Sequence, residues 1–169
     1  MTDINILDPL ASVDDAVENA RIRQAIELLF FAYRDFTGDP DLILARSGYG
    51  RAHHRILHFV GAYPGINVAQ LLSILRITKQ SLGRVLQQLI RQGFVEQRPG
   101  RRDKRQRLLF LTDKGLAFGV QLSIPQEERV RRAFEAAGSG AVAGYLQVLE
   151  HLINEKHRKI IVDAIKRSG

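Results

Sequence analysis

Only one stretch of this chain switches clearly from helical spacing to a β pattern. Residues Phe94 to Arg98 and Gln106 to Thr112 are short, β-prone and bounded by Pro99-Gly100, the pattern of a two-stranded hairpin. On either side, apolar residues recur at intervals of three and four. A single small hairpin set among helices gives a mainly α fold with a small β wing (α+β). At 169 residues, 45% of them hydrophobic and 25% charged, the chain is of one-domain size and has enough apolar material for a core.

The helical stretches are punctuated locally. From Val13 to Phe36, Ile22, Ile26, Leu29, Phe30 and Tyr33 share one flank of a long first helix, with Asp14 and Asp15 near its positive end. Gly38-Asp39-Pro40 is expected to end it. The stretch from Asp41 to Gly50 favours no one conformation. A short helix over Arg51 to Gly61 buries Ile56, Leu57 and Val60 and stops at Tyr63-Pro64-Gly65. Asn67, with Gln70 three residues on, forms a variant capping box for a second short helix carrying Val68, Leu71, Leu72 and Leu75. Thr78 caps a third, in which Leu82, Val85, Leu86, Leu89 and Ile90 face inward, and Gly93 stops it. After the hairpin, helical spacing resumes through Leu116, Val120 and Ile124 to Ala137, with a kink or fresh start expected at Pro125. Gly138-Ser139-Gly140 then separates a last helix, about Ala141 to Lys166, with Leu146, Leu149, Ile153, Ile160, Ile161 and Ala164 on one flank.

Charge singles out the middle of this order. Between Arg76 and Arg107 lie ten basic residues and two acidic ones, a balance of +8 in a chain whose total is +7, so everything else sums to −1. Positive charge so concentrated marks a docking face for a polyanion. It coincides with a helix-turn-helix and a hairpin, shapes that fit the grooves of a duplex. With its leucines turned inward, the third short helix presents Lys79, Gln80, Ser81, Arg84, Gln87 and Gln88, side chains suited to phosphates and base edges. The hairpin tip holds Arg101, Arg102, Lys104 and Arg105, cations that repel one another unless a polyanion neutralises them.

The run Ile77-Thr78-Lys79-Gln80-Ser81-Leu82-Gly83-Arg84-Val85-Leu86, followed by Leu89, Gly93-Phe94-Val95, Asp103-Lys104-Arg105 and Leu111-Thr112-Asp113-Lys114-Gly115, resembles the multiple-antibiotic-resistance regulator (MarR) family. The resemblance implies a winged helix-turn-helix flanked by N- and C-terminal dimerisation helices: one MarR-like domain over 1–169, with a dimerisation helix at 13–37, a DNA-binding lobe at 48–112 and dimerisation helices at 113–169. It implies a homodimer on a pseudo-palindromic operator in double-stranded DNA and a regulator of transcription, repression being the family's commoner habit. DNA contacts are expected from Arg76, Thr78, Lys79, Gln80, Ser81, Arg84, Gln87 and Gln88, and from Arg98, Arg101, Arg102, Asp103, Lys104 and Arg105 of the wing. Arg84 contacts DNA from the recognition helix in this reading, Asp103 braces the wing by pairing with a nearby arginine, and Arg105 or its neighbours enter the minor groove. Gly83 departs from the family, which usually has a small hydroxyl residue there; glycine inside a helix costs about 1 kcal/mol relative to alanine and permits close approach to a backbone.

A dimer also follows from the residues. Helices near both ends carry apolar flanks that the lobe between them cannot wholly cover, and a twofold reader gains from two half-sites about one helical turn apart. In the resembled family small anionic or aromatic effector ligands bind between the dimer helices and the DNA-binding lobe; the corresponding candidates are Tyr33, Phe36, His54 and His58. Residues such as Tyr33 and Phe36 more often belong to a core or interface than to a ligand site. His54 and His58 sit at i and i+4 with His53 beside them, yet no thiolate or HExxH pattern accompanies them, so neither metal nor cofactor is expected. With no cysteine, disulfides, thiol nucleophiles and cysteine-based redox sensing are excluded. No nucleophile elbow, phosphate-cradling glycine loop or dinucleotide fingerprint is present, which speaks against an enzyme. No apolar run is long enough to span a membrane and no export signal precedes the first helix, so a cytoplasmic protein is expected. The alternative class is an architectural nucleic-acid-binding protein with little sequence preference.

Overall fold

A computed structural model describes residues 13–100 and 103–168. Seven helices and three strands follow one another in these residues: α1 (Val13–Arg46), α2 (Arg51–Ala62), β1 (Ile66–Asn67), α3 (Val68–Leu75), α4 (Lys79–Arg91), β2 (Val95–Pro99), β3 (Arg107–Leu111), α5 (Asp113–Ala137), α6 (Ser139–Leu152) and α7 (Glu155–Ser168). The chain divides into two compact units, one ending at Gly38 and the other beginning at Asp39.

The first unit contains most of α1. Its apolar residues stand in solvent, with Phe30 71% exposed and Ile22, Ile26, Leu28, Leu29, Phe31 and Tyr33 about half exposed or more.

The second unit holds the core. Ile56, Leu57 and Val60 of α2, Leu71 and Leu75 of α3, Leu82, Val85, Leu86 and Leu89 of α4, Val95, Leu109, and Phe118 and Leu122 of α5 form one buried cluster. The three short helices form for the reasons their sequence gives. At α3 the capping box closes as expected: the Gln70 amide donates to Asn67 Oδ1 at 2.9 Å, and the Asn67 amide to Gln70 Oε1 at 3.0 Å. At α4 Thr78 Oγ1 accepts from the Ser81 amide at 3.1 Å. Gly93, at φ +74°, terminates the same helix. The hairpin strands pair antiparallel, Val95 opposite Leu111 through Pro99 opposite Arg107.

Four boundaries differ from expectation. Gly38-Asp39-Pro40 does not end the first helix, which continues to Arg46, although the division between units falls at that point. Tertiary contacts carry it onward: Asp39 accepts two hydrogen bonds from Arg129, Pro40 is fully buried, and Leu44 is packed in the core. Of the kink or fresh start expected at Pro125, the fresh start does not occur, since α5 runs through the proline without a break. The expected last helix is two. Ile153 leaves helical geometry, and Asn154 caps α7, its Oδ1 accepting from the Lys156 amide at 3.1 Å. Lastly, the hairpin is the larger part of a three-stranded sheet, order β1-β3-β2, because Ile66 and Asn67 pair with Leu109 and Leu108.

Among the described residues no helix is long and apolar enough to cross a membrane.

Candidate nucleic-acid interface

α4 is divided lengthwise. Leu82, Val85, Leu86 and Leu89 are buried, while Lys79, Gln80, Ser81, Arg84 and Gln87 are exposed on the remaining surface. That separation follows from the three-and-four spacing of the leucines, which leaves the polar positions no inward place. Arg76 caps the C-terminus of α3 in the left-handed conformation, φ 51°, and is exposed. Thr78 does two things at once: it caps α4, and its hydroxyl donates to Ser81 Oγ at 2.8 Å. Gly83 has open space where a Cβ would sit, so the fold itself does not demand glycine there.

Gln88 departs from the expected outer face. It is half-buried, and its Oε1 lies 3.0 Å from His53 Nε2. The helical turn that separates it from Arg84 carries it toward α2, so its carboxamide oxygen is already engaged within the chain.

The wing is braced through its backbone. Gly100 and Gln106 close its base, the Gly100 amide donating to the Gln106 carbonyl at 3.0 Å. Asp103 Oδ1 accepts from the Arg105 amide at 2.9 Å and its carbonyl accepts from the Gln106 amide. Among the described residues, then, Asp103 holds the turn by accepting amides. Arg101 and Arg102, the expected arginine partners and DNA contacts, lie outside the described residues. Lys104 and Arg105 are exposed. Arg98 pairs with Glu96, and its guanidinium lies 4.5 Å from the centre of the Phe110 ring, which holds its charge close to the sheet.

Three residues to which the sequence assigned no part in the interface secure α4 from behind. The Tyr49 hydroxyl donates to Gln92 Oε1. His53 Nδ1 accepts from the Gly50 amide at 3.1 Å while its other nitrogen faces Gln88. Lys114 Nζ donates to the Gln92 carbonyl at 2.7 Å and sits 4.3 Å from the centre of the Phe94 ring, placing a cation at the negative end of α4. The only sequence signal was local: His53 stands three residues after Gly50, the position from which a side chain reaches back to a helix start. Beside that contact, Thr112 Oγ1 donates to the Gly93 carbonyl at 2.6 Å and accepts from the Gly115 amide at 3.1 Å, joining the end of α4 to the start of α5. Gly115 must be glycine, since a Cβ there would lie 2.0 Å from the Phe94 carbonyl oxygen.

The candidate ligand residues divide between the two units. Tyr33, 54% exposed, and half-buried Phe36 are on the part of α1 in the first unit. His54 and His58 occupy one face of α2 in the second. Burial lowers the pKa of both histidines, and at His54 the nearby His58 lowers it further while Asp41 opposes the shift. Among the described residues no group of three or more histidine, cysteine, aspartate or glutamate side chains is placed to hold a metal.

Comparison with known proteins fits this geometry. The profile of the MarR family matches residues 47–106, which covers α2 through β2 and stops short of β3. Over 147 residues, 85% of this chain and 89% of the other, the sequence is 52% identical to the HTH-type transcriptional regulator PetP of Rhodobacter capsulatus. The chain belongs to the MarR family. It is a helix-turn-helix transcriptional regulator, and the relatives found are regulators rather than enzymes. Solved MarR-family structures share its fold. A crystal structure of a MarR family transcription regulator superposes with a TM-score of 0.68 at 22% identity, covering 89% of this chain and 97% of that one. FabT of Streptococcus pneumoniae, solved in complex with DNA, gives 0.66 at 19% identity, covering 78% and 94%. The MarR winged helix-turn-helix expected from sequence is therefore the one observed.

Proposed function

We propose that this MarR-family regulator is a cytoplasmic homodimer that binds one pseudo-palindromic operator in double-stranded DNA and represses transcription from it. The observation that carries the reading is the lengthwise division of α4, with a buried leucine face opposite an exposed row of Lys79, Gln80, Arg84 and Gln87. A helix so divided offers a major groove cations for phosphates and bidentate donors for base edges. The wing would supply Lys104 and Arg105 to the adjacent minor groove, with Arg76, Thr78, Ser81, Arg98, Arg101, Arg102 and Asp103 around the contact. The DNA-bound FabT relative supports this reading. Gln88 enters it differently from its exposed neighbours, through its bond to His53.

Dimerisation is supported by apolar surface left open. Leu116, Val120 and Ile124 of α5, Tyr145, Leu146, Val148 and Leu152 of α6, and Ile160 and Ile165 of α7 are about half exposed or more. The first unit shows the same on α1. So much apolar area in contact with water is what a partner surface removes. On this reading, 48–112 is the DNA-binding lobe, 13–37 and 113–169 supply dimer contacts, and an effector would bind near Tyr33, Phe36, His54 or His58.

The test is competition between duplexes selected from genomic fragments and random duplex at physiological salt. A regulator of this kind prefers its site by about a thousandfold or more, whereas an architectural binder shows little preference. Equal affinity for both duplexes would remove the operator reading.

A further inference from the structure

The core behind α4 is built from leucines and valine, whose non-directional attraction turns the right face inward but leaves the last few degrees of the helix's rotation about its own axis to other contacts. Directional bonds supply what such packing lacks. Gln88 and Gln92, the residue that caps the C-terminus of α4, stand four residues apart, one above the other on one flank and about 6 Å apart along the helix axis. Gln88 meets His53 of α2 and Gln92 meets Tyr49, just before α2. Two bonds one turn apart fix both the rotation of a helix and its position along its axis.

Both anchors are themselves held. The Gly50 amide donates to His53 Nδ1, which leaves that nitrogen without a proton, so in the neutral ring Nε2 carries the hydrogen and donates to Gln88 Oε1. One imidazole therefore reaches back to the start of α2 and restrains the recognition helix. The Tyr49 ring lies 4.9 Å from that of His53 and meets the rings of Phe94 and Phe118 edge-on at 5.7 and 5.8 Å. Phe118 is a core residue of α5, so the anchors rest on the helix that follows the wing.

We propose that His53 and Tyr49 are positioning residues that set the pose of the recognition helix, so that its discrimination between DNA sequences depends on two side chains that do not touch DNA. The proposal rests on the operator reading above and adds to it a determinant of specificity on the far side of α4.

Three full-length variants and a double variant test it: Tyr49→Phe, His53→Phe, Gln88→Met, and His53→Phe with Gln88→Met. Each is measured for affinity to a genomically selected duplex and to random duplex, for thermal stability, and for amide hydrogen exchange along α4. Loss of one such bond is expected to lower the ratio of selected to random affinity about two- to tenfold and to speed exchange in α4. The double variant should lose no more than the worse single one, because Gln88 acts through His53. If Gln88→Met costs as much in the His53→Phe background as alone, Gln88 touches DNA itself and the proposal fails. It fails also if the variants lower thermal stability while the affinity ratio and the exchange of α4 stay unchanged. In the free wild-type protein, nitrogen-15 spectra should show the neutral His53 ring carrying its proton at Nε2; the Nδ1 tautomer overturns the geometry. Should the wild-type chain prefer no duplex, the operator reading falls, and exchange and the imidazole spectrum still decide whether the anchors hold α4.

Discussion

The lobe from α2 to β3 and the helices that follow it treat the same kinds of side chain in opposite ways. In α4 four of the five large apolar residues are buried, and Leu82 and Leu89 are fully so. In α6 none is buried, and in α5 Leu116, Val120 and Ile124 face solvent while Phe118 and Leu122, on the other flank, enter the core. The lobe completes its core within one chain. The later helices leave an apolar surface that a single chain does not cover, and the division inside α5 marks where one condition gives way to the other.

The largest effect expected from this contrast comes from matched substitutions on its two sides. Leu82→Ala should cost about 2–5 kcal/mol, because a fully buried leucine leaves a cavity as well as losing its burial. Urea unfolding should show that loss at every protein concentration. Val120→Glu, on the exposed flank of α5, should leave the lobe folded and shift the mass in solution toward monomer. A dimeric mass for Val120→Glu at micromolar concentration would show that this flank is not where copies meet.

Arg84→Ala comes next, with an expected loss of about 1–3 kcal/mol in affinity for the selected duplex and little in affinity for random DNA. On the wing, Lys104→Ala and Arg105→Ala should instead weaken both duplexes alike and reduce the salt slope by about one each. Titrations over a range of salt separate the two patterns, and a uniform loss with Arg84→Ala would place that residue on phosphate alone. Smaller again is Asn67→Ala, which removes the α3 cap and should cost about 1 kcal/mol in unfolding free energy without changing the affinity ratio.

These cases also show what the sequence made legible. The Asn67 and Thr78 caps, the Gly93 stop and the inward face of α4 depend on residues within a turn or two, and each was readable from spacing. What escaped depends on distant partners. Pro40 is carried inside α1 where Arg129 meets Asp39 and Leu44 reaches the core, contacts no local pattern encodes. The break at Ile153-Asn154 was hidden because an apolar stripe continues across it from Leu149 to Ile160. β1 is only two residues long, too short for any periodicity to show. At the interface, spacing assigned Gln87 and Gln88 to one outer face, and only the position of His53 separates them.

The smallest effect concerns pH and again distinguishes the lobe from the surface around it. Half-buried His54 and its neighbour His58 both have pKa values below their ordinary 6.5, burial being the main cause. In the unfolded chain each takes up a proton near 6.5, while in the folded chain each resists until the pH is lower. As pH falls through that interval the unfolded state binds more protons, so folding stability declines; above about pH 7 the histidines contribute no further pH dependence. Asp41 favours the charged form of His54 and holds the decline in check, and Asp41 is itself bonded to Arg51 at 2.7 Å. Replacing both histidines by glutamine should therefore flatten the stability profile between about pH 5 and 7 relative to wild type. Chemical unfolding at several pH values measures it directly. If the double variant keeps the wild-type slope, the decline belongs to other groups, and the face of α2 carrying His54 and His58 is no more sensitive to acid than the exposed surface of α4.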